Sequence, residues 1–320
     1  MLGAPWTANP IAAAPIGMLR IKEVDAAERI GGHFENHMVS QREPWVPHGH
    51  FYSPLVEPTD AHVRKAIDNE AHPLATASSL GLDEQEMLGW FAIISRRYES
   101  NPFPEQPSSD SKYNYANPHF PLADALALLG IMLEQKPKRY VEVGCGYSSC
   151  AAIEINERYL GGNVEMDFID PYPHTFLELV GSASPYADRL NRLSLQDAPL
   201  EMFTRLSAGD ILFIDSSHVA KTGSDVLDYF FRILPVLSAG VVLHIHDIFF
   251  PFDYPAAWIV DENRSWNEAY LLRAFLEYNQ AFRVFYFSDW IYKCHRELFA
   301  EFMPLCVQHR GGSIWIKKLH

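Results

Sequence analysis

The fold turns on residues 139–149, RYVEVGCGYSS. A short apolar run, Tyr140–Val143, leads into Gly144-Cys145-Gly146 and then into a stretch with helical character. A buried strand, a tight glycine turn and a helix in that order form the first half of a βαβ unit. Gly144 and Gly146 permit close backbone approach to a ligand, and the N-terminus of the following helix is open to an anionic group. Taken alone, the GxG pair is a weak signal. Ser149 stands where a dinucleotide fingerprint has its third glycine, which tilts the reading away from NAD and FAD.

The pattern repeats outward from this turn. Residues 121–135 (PLADALALLGIMLEQ) read as an apolar helix. After the turn come a helix over 148–160, VEMDFI at 164–169, a helix from about 174, LNRLSL at 190–195, a helix near 199–206, ILFI at 211–214, a helix over 223–233 and VVLHIH at 241–246. Short continuous apolar runs separated by helices predict buried parallel strands. Past the fifth run lie an aromatic loop, FFPFDYPAAWIVDENRSW, a helix over 267–279, FRVFYF at 282–287, a helical segment from about 291 to 301 and GGSIWIKK at 311–318. The last two runs read as an antiparallel pair at the sheet edge. The expected fold is therefore α/β: a doubly wound, seven-stranded, Rossmann-like sheet, mostly parallel with an antiparallel C-terminal strand.

Residues 1–120 read as an N-terminal extension before the sheet-forming domain at 121–320. Pro44, Pro47, His48, His50, Pro54 and Pro58 crowd its middle, and one helical pattern spans 84–99 (EQEMLGWFAIISRRYE). The proline-rich stretch 101–121 reads as a linker or covering loop. Its Tyr113, Tyr115 and Phe120 either line a pocket or pack the loop down.

The net charge of −14 argues against a nucleic-acid backbone as the main partner, because phosphate binding needs a basic surface. No stretch approaches the roughly 20 apolar residues that span a bilayer. The N-terminus lacks a basic segment and is broken by prolines, so no signal peptide is expected there. Cys145, Cys150, Cys294 and Cys306 form no CxxC pair, which disfavours a zinc ribbon and suits reduced thiols in the cytoplasm.

In an open α/β sheet, ligands bind beyond the carboxyl ends of the strands. Asp170 closes the second strand, Gln196 and Asp197 the third, Asp215 the fourth and Asp247 the fifth. Buried carboxylates are costly unless used or paired, so a carboxylate-lined edge points to a site. Asp170 is placed to accept from the ribose hydroxyls of an adenosine, and Asp197 from an exocyclic adenine amine.

At this point a family resemblance emerges. RYVEVGCGYSS, FIDPYP, QDAPLEMF, GDILFIDSSHVAKTGSDV and HIHDIFFPFDYP resemble the successive motifs of class I S-adenosylmethionine-dependent methyltransferases. More narrowly, they are similar to the metal-dependent sugar O-methyltransferases of macrolide pathways and, more distantly, to catechol O-methyltransferase. The resemblance covers roughly residues 115–318. It implies that Glu142, Gly144, Gly146, Ser148, Asp170, Gln196 and Asp197 hold S-adenosylmethionine. It further implies that Asp215, His246 and Asp247 ligate a divalent metal and that His218 is the general base. The catechol enzymes have lysine at the His218 position. At His246 this chain departs from the pattern, where relatives place a carboxylate.

A divalent ion bridging two vicinal hydroxyls orients them and lowers their pKa, and a histidine takes the proton near neutral pH. An imidazole among the ligands suits Mn, Fe, Co or Zn better than Mg. The expected reaction is O-methylation of a small hydroxylated molecule, a sugar, polyol or phenol, with a homo-oligomer as one possible assembly. Two other readings stand beside it. One is an iron-dependent oxygenase or hydroxylase using Asp215, His244 and His246. The other is a cofactor-binding protein without turnover. Asp215 and Asp247 can also simply cap turns, and His218 can hold a loop carbonyl.

Overall fold

The computed structural model describes residues 43–68 and 79–320. The chain divides into two units, residues 1–46 and residues 47–320. The reading of residues 1–42 as a leader-free extension lies outside the described residues. The sheet, its helices and every site residue belong to the second unit.

Seven strands build one sheet: β1 (Arg139–Val143), β2 (Glu165–Ile169), β3 (Leu190–Asn191), β4 (Ile211–Ile214), β5 (Val242–His246), β6 (Phe282–Phe287) and β7 (Ser313–Lys318). Their order is β3-β2-β1-β4-β5-β7-β6. From β3 to β5 every pairing is parallel, while β7 runs antiparallel to both β5 and β6. The C-terminal pair is thus present, with β7 inserted next to β5 and β6 left at the edge. The order reverses between β1 and β4, and the crevice at such a switch point is where an open α/β sheet takes its ligand.

The apolar runs do what their composition dictates. All four residues of β4 and all five of β5 are buried, as strands covered on both faces must be. Helix Leu122–Gln135 is buried from Leu122 through Met132 and ends at Lys136, which takes the left-handed conformation. Gly130 lets the preceding helix, Glu84–Ser95, come close: a Cβ there would sit 2.9 Å from Ile94 Cγ1 and 3.2 Å from its Cα. That helix is capped by Asp83, which accepts from the Glu86 amide, and it buries Met87, Phe91 and Ile94. It also packs on β6, so the helical pattern at 84–99 belongs to the same packed unit as the sheet.

Three elements differ from their sequence reading. The LNRLSL run pairs only at Leu190 and Asn191. Arg192 is exposed, and the chain turns at once, the Leu193 amide donating to the Asn191 carbonyl. Leu195 then reaches the core from a 3₁₀ turn, Leu195–Asp197. The helix expected over 223–233 is α-helical only at Asp225–Asp228 and continues as a π turn, Tyr229–Ile233. The segment at 291–301 is two helices, Ser288–Cys294 and Arg296–Phe302.

Stretch 101–121 is a packed cover. Tyr113, Tyr115 and Phe120 are buried. The Tyr113 hydroxyl donates to the Phe120 carbonyl at 2.6 Å, and buried Glu154 accepts from Ser111 Oγ and the Lys112 amide. The aromatic loop after β5 is likewise pinned. Phe250 and Phe252 stack edge-on against Phe287 at 6.0 and 5.5 Å, and the Phe250 amide donates to Asp289. All four cysteines are free. Among the described residues no helix is long and apolar enough to cross a membrane.

Candidate active site

The turn after β1 and the loop after β4 meet at the switch point. The Asp215 amide donates to the Val143 carbonyl at 2.9 Å, and the Gly144 amide to the Ile169 carbonyl at 2.9 Å. Gly144 has φ +79°, and a Cβ on it would lie 1.9 Å from the Asp215 carbonyl oxygen. No other residue fits, for both conformational and steric reasons. Gly146 differs. A Cβ there would meet nothing within 4 Å, so the turn leaves open space in front of helix Tyr147–Tyr159.

Around that space stand most of the residues implied for the cofactor. Asp170 accepts from the Cys145 amide at 2.9 Å and from the Tyr172 amide at 2.7 Å, one bond to each oxygen. A second lone pair on each oxygen remains for a ribose. Glu142 is fully buried and accepts from Ser148 Oγ and the Tyr140 hydroxyl. Burial raises its pKa to about 8 against the opposing pull of those hydrogen bonds. Ser148 is thereby committed to Glu142. Gln196 and Asp197 are exposed, and the Gln196 amide nitrogen donates to the Gly223 carbonyl at 2.7 Å. The open space at Gly146 beside a carboxylate at Asp170 fits an adenosyl group whose ribose Asp170 would hold.

The second cluster forms where β4 and β5 end. Asp215, His218 and Asp247 each offer a ligand atom, and these atoms lie within 4.8 Å of one another. His218 Nε2 is 3.3 Å from Asp215 Oδ1 and 3.7 Å from Asp247 Oδ2. The two carboxylates open outward, with side chains 34% and 20% exposed, while the His218 ring behind them is 6% exposed. His218 and Asp247 both hold positive φ, +59° and +55°, which costs a non-glycine residue about 1 kcal/mol or more and concentrates at functional sites.

One residue of this cluster lies beyond what the motif spacing reveals. Glu268, the first residue of helix Glu268–Tyr278, has no exposed surface. Its Oε2 lies 2.7 Å from His218 Nδ1, and its Oε1 accepts from the Tyr229 hydroxyl at 2.6 Å and Ser216 Oγ at 2.9 Å. Fifty residues separate Glu268 from His218, and a glutamate at a helix start is so common that nothing local marks this one. Asn267, just before this helix, bonds the Ala220 backbone through its side chain.

The electrostatics follow from this crowding. Burial works against the charged form of His218, but its bonds to Asp215 and Glu268 prevail and hold its pKa well above the ordinary imidazole value. Burial would raise Asp215; the hydrogen bond from His218 and the nearby His246 outweigh it and hold that carboxyl below its usual range. Asp247 is raised, chiefly by burial.

His246 does not join the close group. Its Nδ1 faces His244 Nε2 at 3.3 Å and its Nε2 lies 3.6 Å from Asp247 Oδ1. His244 is fully buried and stacked on Phe213 at 3.8 Å between centroids, and burial pushes its pKa well down. The two-histidine set Asp215, His244 and His246 is therefore not assembled. The donors that open outward in front of the His218 ring are the Asp215 and Asp247 carboxylates, hard oxygen ligands that fit a divalent cation.

Residues 141–248 match the family model for a methyltransferase domain, in agreement with the fold. A protein of Archaeoglobus fulgidus described as uncharacterized is 33% identical over 135 residues, 41% of this chain and 60% of that protein. The chain thus spans about three fifths of the length of this curated relative. The crystal structure of SAH-bound Podospora anserina methyltransferase PaMTH1 has 16% identity and a TM-score of 0.40, covering 79% of this chain and 97% of that one. Cofactor-bound Rv0187 from MTB has 12% identity and a TM-score of 0.37, covering 78% and 99%. The matched segment lies on the parallel part of the sheet, from β1 to the end of β5, so residues 141–248 resemble a methyltransferase domain on a Rossmann-like strand order.

Proposed function

We propose that the protein is an O-methyltransferase that transfers the methyl group of S-adenosylmethionine to a hydroxyl of a small sugar, polyol or phenol, with His218 as general base. The observation that carries this reading is the placement of His218. Its Nδ1 is occupied by Glu268, so Nε2, which faces the two outward-opening carboxylates, is the atom through which the ring exchanges a proton, and the ring acts as base once Nε2 has released its own. Gly144 touches Asp215, so the cofactor turn and the acceptor side share one boundary.

Glu142, Gly144, Gly146 and Asp170 would hold the cofactor, with Gln196 and Asp197 at the adenine end. Asp215 and Asp247 would hold a divalent cation, and His246 would steady Asp247. Such a cation, when bound, supplies Lewis-acid polarisation of the acceptor hydroxyl. The chain's own contribution is to orient the acceptor between Asp215 and Asp247 and to remove its proton at His218 Nε2. The oxygen so exposed attacks the sulfonium methyl, leaving S-adenosylhomocysteine.

The test has two parts. Calorimetry with S-adenosylmethionine comes first, and absence of binding ends the proposal. Purified protein is then incubated with S-adenosylmethionine, Mg or Mn, and a panel of glycosides and catechols. The expected result is S-adenosylhomocysteine formed in step with a methylated hydroxyl. His218→Gln should retain cofactor binding and lose about 10²–10⁴-fold in turnover, the usual contribution of a general base.

A further inference from the structure

We propose that Glu268 is the positioning residue for His218, fixing the imidazole in the tautomer that leaves Nε2 free to accept a proton. This inference rests on the reading of His218 as the base.

A carboxylate only accepts hydrogen bonds. Glu268 is sealed from solvent, and three donors converge on it: His218 Nδ1, the Tyr229 hydroxyl and Ser216 Oγ. At 2.7 Å from Oε2, Nδ1 must carry its hydrogen. A lone pair there would point at a carboxylate oxygen with nothing between them. The neutral ring is therefore protonated at Nδ1 and bare at Nε2, which is the form a general base needs.

The same frame fixes the ring's direction. The His218 carbonyl accepts from the Asn267 and Glu268 amides, each at 3.1 Å, so helix Glu268–Tyr278 begins on the backbone of the residue it orients. The His218 amide donates to Ser216 Oγ, and that hydroxyl donates onward to Glu268. Tyr229 reaches Glu268 from the opening of the π turn Tyr229–Ile233, an irregularity that recurs at functional sites. On the ring's face, Trp266 packs at 4.3 Å between centroids. A carboxylate needed only to tie loops together has no requirement to meet the imidazole edge-on at Nδ1; here the closest ionic contact is the one that selects the tautomer.

The test uses the full-length protein loaded with S-adenosylhomocysteine and labelled with ¹⁵N-histidine. Spectra are recorded as the pH is raised until the His218 ring is neutral, for the wild type and for Glu268→Gln and Tyr229→Phe. The wild-type neutral ring should show the Nδ1–H tautomer. Glu268→Gln should abolish that preference while binding S-adenosylhomocysteine within about twofold of wild type, because the Glu268 carboxylate bonds to His218, Ser216 and Tyr229 rather than to the β1 turn. Tyr229→Phe should keep the tautomer, since the His218–Glu268 bond survives. With an acceptor that the wild type methylates, Glu268→Gln should lower kcat about 10²–10⁴-fold and leave KM within about twofold.

A wild-type ring carrying its proton on Nε2 overturns the proposal, and this result needs no variant to fold. A Glu268→Gln protein whose tautomer and kcat match wild type overturns it as well. If His218→Gln still turns over substrate, the base assignment falls, whereas the tautomer measurement tests Glu268 independently of turnover.

Discussion

Replacing Glu142 by glutamine probes the carboxyl group buried under the β1 turn. Glu142 sits on the central strand with no exposed surface, and burial lifts its pKa to about 8 from the ordinary 4.5. Between those two values the folded chain retains a proton that the unfolded chain has released. Stability contributed by this group is therefore fully present below about pH 4.5, falls as pH rises, and levels off above about pH 8. The gap, at about 1.36 kcal/mol per pH unit, amounts to about 5 kcal/mol. Glutamine keeps the shape and an acceptor for Ser148 or Tyr140 but cannot ionise. The assay is urea unfolding of wild type and Glu142→Gln at closely spaced pH values from about 4.5 to about 9. Other buried groups titrate in both proteins, so the informative quantity is the difference between the curves. That difference should move in favour of the variant by several kcal/mol as pH rises across the window. Parallel curves would refute the reasoning, since they would mean that Glu142 is ionised at its ordinary pKa inside the fold.

Single contacts give further expectations. Gly144→Ala forces a Cβ to within 1.9 Å of the Asp215 carbonyl at positive φ; it should cost about 2–4 kcal/mol in denaturant unfolding. Gly146→Ala puts its methyl into open space, with nothing within 4 Å, and should cost less stability than Gly144→Ala. Calorimetry should nonetheless show weaker S-adenosylhomocysteine binding, and unchanged affinity would show that the open space is not the cofactor's. Asp210 is buried and accepts from the Lys138, Arg139 and Ser207 amides and from Ser207 Oγ; Asp210→Ala should lower stability by about 3 kcal/mol or more, because it orphans several donors at once. Tyr113→Phe removes the bond that ties the cover to Phe120 and should cost about 1–2 kcal/mol with the fold intact.

Much of the fold was legible in one dimension. Strand length and composition placed β1, β2, β4 and β5 within a residue or so, because strands covered on both faces are short runs dominated by apolar residues. The edge strand β3 was overextended because an edge is held by few pairings, so its apolar residues are free to turn inward separately. Gly144 and Gly146 look alike in the sequence. Only packing separates them: one lies against the Asp215 backbone, the other faces open space.

The site divides the same way. That Asp170, Asp215 and Asp247 lie at one edge follows from the sequence alone, since each ends a parallel strand and parallel strands end together. The identity of the third member of the close group, His218 rather than His246, was decided by side-chain direction at the end of β5. There His246 turns into the core toward His244, while Asp247 leaves the strand at positive φ. Glu268 and Tyr229 belong wholly to the tertiary structure. Hydrogen-bond partners brought together from three separate elements leave no spacing in the chain, so only the fold could show that they meet at one imidazole.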